Sequence, residues 1–226
     1  YYLSLGYLDN EGIAYNSDFN RITVRAKADY EALKWLRVGT NVNFSRTKYH
    51  SITSDDNGLF YHINPMAPIY PAFIRDGAGN IMTDENGPMY DYGDGSLIGY
   101  ARPILPNNNP LQENKLNTSS SKNNMYSFFG YADIMPIDGL KITLNGTLTS
   151  YDSRGTDATQ PFYGYSRTAY PTGFVSRSSD QTYSYNFQQL VNYHHEFGHH
   201  HMEILLGHEF YRSRYENLFG AKTGMA

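Results

Sequence analysis

Apolar and polar residues alternate with a period of two along most of this chain. The clearest stretch sets Ile22, Val24, Ala26, Ala28 and Tyr30 on one side and Arg21, Thr23, Arg25, Lys27, Asp29 and Glu31 on the other, as a strand with one oily and one aqueous face does. Leu36, Val38, Val42 and Phe44 repeat the pattern against Arg37, Asn41, Asn43 and Ser45 after a tight connection around Leu33 to Trp35. The two predict a hairpin. A second pair runs from about 125–135 through Pro136-Ile137-Asp138-Gly139, whose Pro and Gly suit a turn. It continues with Leu140, Ile142, Leu144 and Leu148 alternating with Lys141, Thr143, Asn145, Thr147 and Thr149. A third pair covers about 182–194, with Tyr183, Tyr185, Phe187, Val191 and Tyr193 on one face, and about 202–214. With an opening strand over 1–8, seven strands of roughly 8 to 14 residues are expected, longer than the 5 or 6 typical of soluble sheets.

The connections add a second pattern. Those near 33, 137 and 197 are tight, whereas 9–18, 50–124 and 152–181 are open and rich in Gly, Pro, Asn, Asp and Tyr. Short and long alternate strictly, so all the long loops lie at one end of an antiparallel meander, as in outer-membrane barrels. Lipid demands an apolar outer band, while a wide lumen tolerates Arg, Lys, Asp and Asn facing water. Tyr30 and Trp35 fall near a turn, where interfacial aromatics belong. The competing reading is a soluble, secreted glycan-binding β-sandwich with one wet face per sheet. A connection of about 75 residues over 50–124 weighs against it, because structureless loops of that size are uncommon in compact domains.

Composition narrows the classes further. At 40% hydrophobic and 18% charged over 226 residues, with 22 Tyr and 12 Phe, the chain is too apolar for simple disorder. The absence of Cys excludes a disulfide framework and thiolate metal sites. Lys and Arg number 18 against 22 Asp and Glu, a net charge of −4 that offers no field to gather phosphates, so no nucleic-acid partner is expected. No run of 18 apolar residues is present for a membrane helix, which leaves a membrane β-barrel open. Tyr1-Tyr2-Leu3-Ser4-Leu5 has no basic region or cleavage site, and Ala221 to Ala226 trails off without a closing element. A section of a longer protein is the expectation.

The opening block Tyr1-Tyr2-Leu3-Ser4-Leu5-Gly6-Tyr7-Leu8-Asp9-Asn10-Glu11-Gly12-Ile13 resembles the early barrel region of SusC/RagA-like TonB-dependent transporters. Phe19-Asn20-Arg21 and Lys34-Trp35-Leu36-Arg37-Val38-Gly39, with Asn41, resemble the next hairpin of that family. Pro68-Ile69-Tyr70-Pro71 with Asp76-Gly77 resembles its Pro-rich external segment, Asn109-Pro110-Leu111 the return, and Gly139-Leu140-Lys141 and Phe197-Gly198 with His200 later turns. The resemblance implies an all-β, antiparallel up-and-down transmembrane barrel section, about seven strands of a 22-stranded barrel with long external loops. Residues 1–226 would be part of the barrel domain, with 50–124 one long external loop. It further implies residence in the bacterial outer membrane of Bacteroidetes-type bacteria, outer-membrane lipid around the wall, and import of oligosaccharide or peptide nutrients. A SusD-like lipoprotein lid and the TonB protein, engaged through plug-side segments not seen here, are the implied partners. Unpaired edges at both ends would then require additional protein.

Candidate chemistry is sparse. His195-Glu196-Phe197-Gly198-His199 satisfies the H-E-x-x-H pattern of zinc hydrolases, which works only on a helix, where both imidazoles share a face and the Glu activates water. Here a Gly interrupts it and strands flank it, so a polar turn is the preferred reading of His194, His195, His199, His200 and His201. The acidic groups Asp84-Glu85-Asn86-Gly87 and Asp91-Tyr92-Gly93-Asp94-Gly95 match no EF-hand loop and read as Gly-held Asx turns. No nucleophile elbow is present, so no enzyme, catalytic residue, metal or cofactor is expected. The candidate substrate-binding residues are the loop tyrosines Tyr61, Tyr70, Tyr90, Tyr92, Tyr100, Tyr163, Tyr165 and Tyr170. Their rings offer apolar contact to a sugar face or a peptide side chain, and their hydroxyls satisfy polar groups.

Overall fold

The computed structural model describes residues 1–52, 63–85, 87–95, 99–104, 106–107, 109–160 and 172–224. Its main element is one antiparallel sheet of seven strands. In chain order these are β1 (Tyr2–Glu11), β2 (Asp18–Leu33), β3 (Leu36–Ser51), β6 (Thr118–Ile137), β7 (Leu140–Thr159), β8 (Phe174–Phe197) and β9 (His200–Thr223). A two-residue pair, β4 (Thr83–Asp84) with β5 (Gly87–Pro88), and a short helix α1 (Pro110–Leu116) lie between β3 and β6. Strand order in the large sheet is β1-β2-β3-β6-β7-β8-β9, a meander with every neighbour antiparallel.

The strands are where alternation places them but extend beyond it, to 20 residues in β6 and β7 and 24 in β8 and β9. The reason is chemical. Alternation marks only the part of a strand with one oily face, and here each long strand runs on past that part with polar residues on both faces. Backbone pairing does not need the oil; the ladder continues through Lys122↔Arg154 and Asp157↔Ser176. The open connections are correspondingly shorter, 12–17, 52–117 and 160–173. The tight turns fall at 34–35, 138–139 and 198–199, and Asp138-Gly139 has the preferred chemistry of a two-residue hairpin loop. Gly139 has φ of 80°, and a Cβ there would stand 2.2 Å from the His194 carbonyl oxygen, so no other residue fits.

Register assigns every side chain to a face. On one face lie Leu5, Val24, Phe44, Tyr126 and Tyr183, linked pair by pair across the sheet, and likewise Ala26, Val42, Phe128, Leu148 and Tyr185. The other face carries Arg25, Asn43, Tyr131, Asp133, Thr143, Asn186 and Glu209. Its groups bind one another: Arg25 Nε donates to Asn43 Oδ1 at 2.6 Å, Tyr131 to Asp29 at 2.7 Å, Thr143 to Asp133 at 2.7 Å and Gln188 to Glu209 at 3.2 Å. Lys141 pairs with Asp133 at 3.0 Å.

Among the described residues no second layer covers either face. Among the described residues Ile74 is the one buried hydrophobic side chain, and it lies outside the large sheet, while Ile22, Phe128, Leu148, Phe187 and Phe210 are each at least 43% exposed. A β-sandwich packs a second sheet on the first; among the described residues the only other sheet is the β4–β5 pair. The apolar face is therefore exposed by construction rather than by mispacking.

The upper edge of the apolar band crosses the sheet diagonally. It stands at Tyr7 and Ile22 on β1 and β2, one row lower at Phe44, Tyr126 and Tyr183, and lowest at Phe210 on β9, whose cross-strand row reaches β2 at Ala28. From Ile22 to Ala28 is about 20 Å of strand, lost across about 24 Å of sheet width, so strands meet the band at roughly 40°. The lower edge moves the same way: the row of Tyr30 meets β9 at His208, which is hydrogen-bonded to Gln189 on the same face, and below it Leu206 and Ile204 continue the apolar face. Transmembrane barrels have strand tilts in this range. Band height agrees as well. The stretch from Tyr183 to Tyr193 spans about 34 Å along β8, or about 25 Å once tilted, the height of an outer-membrane apolar girdle.

Candidate functional site

Above the sheet, at the end carrying the long connections, the β1–β2 loop, the segment 63–72 and helix α1 enclose a cavity of about 710 Å³. Ile13, Ile52, Ile63, Met66, Tyr70 and Leu111 supply most of its wall, with Arg102 and Asn114 among the polar members. That size and lining fit a small-molecule or side-chain pocket, apolar with a few placed polar groups.

Local sequence explains each wall. Asn109 caps α1, its Oδ1 accepting from Gln112 N at 3.1 Å, and Pro110 follows at the first helical position. The same Asn109 is 3% exposed, and its Nδ2 donates to the carbonyls of Ala72 and Asp91, both at 2.9 Å. One carboxamide thus locks the helix start to two other segments. At the far side, Asn114 Nδ2 donates to Tyr15 O at 2.7 Å, and Asn16 Nδ2 to Asn114 O at 2.6 Å. Asn16 takes the left-handed conformation, φ 56°, which Asn tolerates better than most residues. Lys115 Nζ stands 4.7 Å over the Tyr15 ring.

Arg102 is 7% exposed and crosses the cavity floor. Its guanidinium lies 5.4 Å over the Tyr70 ring, Nη2 donates to Asp91 O at 3.2 Å, and Nη1 approaches Met66 Sδ at 3.8 Å. Gly93 makes room for it, since a Cβ there would fall 1.6 Å from Arg102 Nε. Asp91 Oδ1 accepts from Gly93 N at 2.7 Å, the Asx turn that the Asp91 to Gly95 group suggests. Asp76 makes a second, accepting from Ala78 N at 2.9 Å and Asn80 N at 2.8 Å and from Asn80 Nδ2 at 3.1 Å. The Asn80 side chain first, and then these amides, hold its carboxyl below the usual carboxylate range.

The loop tyrosines divide. Tyr70 borders the cavity. Tyr90 packs on Phe73 with ring centroids 4.9 Å apart, Tyr92 is half-buried beside the Asp91 turn, and Tyr100 is 83% exposed. Tyr61, Tyr163, Tyr165 and Tyr170 lie outside the described residues. Sequence reasoning missed Arg102, Met66 and the isoleucines, which carry no local signal; it also passed over α1, although Asn109-Pro110 followed by Glu113 is a helix start. The His195 to His199 segment is the end of β8 and the turn at 198–199, with Gly198 at φ 58°, so its two imidazoles are not on one helix face. His195 instead stacks on Tyr193 and meets Phe197 edge-on.

Comparison with known proteins agrees with this geometry. No protein-family model matches the chain. TonB-dependent receptor P26 of Formosa agariphila is 26% identical over 214 residues, covering 92% of this chain and 19% of the receptor. TonB-dependent receptor P39 of the same organism is 26% identical over 140 residues, 62% of this chain and 11% of that receptor. The RagAB peptide importer in its closed-closed state superposes with a TM-score of 0.68 at 22% identity, covering 98% of this chain and 23% of the importer chain. In sequence the chain is similar to TonB-dependent receptors, and in fold to the RagAB peptide importer. It spans about a fifth of the length of receptor P26. The open-open RagAB state superposes almost equally, at 0.67, so the fold of this chain fits both states.

Proposed function

We propose that this chain supplies wall and external loops to a TonB-dependent importer of the bacterial outer membrane, carrying oligosaccharide or peptide nutrients inward without transforming them. The observation that carries the reading is the single-layer sheet with a tilted, uncovered apolar band on one face and a hydrogen-bonded polar lining on the other. Uncovered, that band would be insoluble in water; facing hydrocarbon it is satisfied. The polar face then lines a watery lumen.

In this reading the 52–117 connection and the β1–β2 loop stand at the external mouth. A SusD-like lipoprotein closes over them, and TonB acts through a plug elsewhere in the protein. The candidate tyrosines Tyr61, Tyr70, Tyr90, Tyr92, Tyr100, Tyr163, Tyr165 and Tyr170 are the proposed contact surface, with Tyr70 lining the 710 Å³ cavity. Its aliphatic lining favours an apolar peptide side chain over a sugar, which would need more hydrogen-bonding partners.

Fractionation of cells making the full-length protein tests the placement: recovery with outer membranes and extraction only by detergent are expected, and a monodisperse detergent-free monomer defeats the proposal. Tyr70→Ala should then weaken ligand binding several-fold while leaving membrane insertion unchanged.

A further inference from the structure

We infer that the outward face of β3, β6, β7 and β8, just beyond the apolar band, holds the phosphate of an outer-leaflet glycolipid. This rests on the outer-membrane reading above. The residues are Arg46, Lys48, Lys122, Arg154 and Arg177, all on the face that carries the band. Lys48, Lys122 and Arg154 are consecutive cross-strand partners, and Arg177 lies opposite Thr156 one row higher. Like charges placed directly opposite repel and destabilise a sheet unless an anion sits among them.

Lys122, Arg154 and Arg177 line a depression of about 590 Å³ together with Ser120, Thr156 and Ser179, whose hydroxyls add donors between the cations. None of these three cations makes an ion pair or side-chain hydrogen bond among the described residues. The nearby carboxylates are engaged: Asp152 accepts from Gln181 at 2.7 Å, Asp18 meets His50 at 2.8 Å, and Glu216 pairs with Arg214 at 2.5 Å. Four strands therefore present a positive patch in a chain whose net charge is negative.

Position selects the occupant. The patch starts one residue pair beyond the Phe44–Tyr126 ring pair, whose centroids are 5.0 Å apart at the top of the band. Two to six further residues along a tilted strand place the cations about 5 to 15 Å above the hydrocarbon edge, the level of polar headgroups. A free anion or a transported substrate would meet the lumen face instead. An anionic headgroup whose acyl chains lie along the band below satisfies both surfaces at once.

The test uses the full-length protein in detergent with three probes: lipid A bearing a phosphate, the same lipid after phosphatase treatment, and inorganic phosphate. Native mass spectrometry should show at least ten-fold preference for the phosphorylated lipid, abolished in a Lys122→Gln/Arg154→Gln/Arg177→Gln variant and kept in the lumen-facing Arg25→Gln control. Equal retention of the two lipids, unchanged retention in the triple variant, or displacement by inorganic phosphate overturns the inference. Heat-modifiable migration verifies the fold of the triple variant, and if it fails there the single Arg154→Gln decides, with at least a three-fold loss expected. Nutrient uptake is expected to stay normal in these variants, so failure of this inference and failure of the import reading are read separately.

Discussion

Individual side chains are governed by which side of the sheet they occupy, and neighbours in sequence therefore have opposite tolerances. Leu148 is the uppermost apolar residue of β7 on the band face, followed there by Ser150; it stands opposite Phe128 and Tyr185 and is 57% exposed. Thr147 next to it turns to the polar face. Leu148→Arg is expected to destabilise the inserted barrel by about 1–2 kcal/mol, between the cost of Arg at the bilayer midplane and near its edge, while Thr147→Arg changes it little. Urea titration of the refolded full-length protein in lipid vesicles measures both, and equal effects would remove the assignment of faces. Asp76 offers a pH test outside the membrane. Its carboxyl is held below the ordinary range in the folded loop, so its contribution is complete at neutral pH and disappears only as pH falls through that lowered value. Amide exchange at Ala78 and Asn80 should accelerate at low pH in the native protein but show no such pH step in Asp76→Asn.

At the level of elements, two small devices organise the long connection. Asn109 is at once helix cap and tie to Ala72 and Asp91. Asn109→Ala removes a cap and leaves two carbonyls short of a donor, an expected local loss of about 1–3 kcal/mol. Limited proteolysis should open the 52–117 connection sooner in the variant, with the large sheet unaffected. The β6–β7 turn depends on Gly139 in the same way, since any Cβ would strike the His194 carbonyl. The turns and the central parts of the strands were legible because Asp-Gly chemistry and period-two patterning are local. The upper halves of β6 to β9 were not, because residues such as Ser119, Ser121, Asn123 and Lys122 show no apolar alternation. They become strands because the neighbouring ladder continues past the apolar band and pairs with them.

For the molecule as a whole, the decisive property under the proposed function is that one sheet separates two solvents. The chain lacks Cys, so single cysteines introduced along β2 can map both sides without background from this region. Positions 23, 25 and 27 should react with a membrane-impermeant, water-soluble maleimide, and positions 22, 24 and 26 only with a bilayer-partitioning reagent. Identical labelling at odd and even positions would contradict a lipid face and a lumen face. The candidate cavity also belongs to this level. Ile13, Ile52, Met66 and Arg102 are far apart in sequence, and only the docking of α1 and the β1–β2 loop brings them together.

Alternation, turn residues and loop lengths were enough to specify an antiparallel meander with one oily face, because each depends on residues only a few positions apart. Folding decided the rest: the register that joins the oily positions into one tilted band, the patch of outward cations above it, and the pocket around Tyr70 and Arg102. These come from pairing and packing between distant segments, where the energy of any one residue depends on partners that a linear pattern does not name.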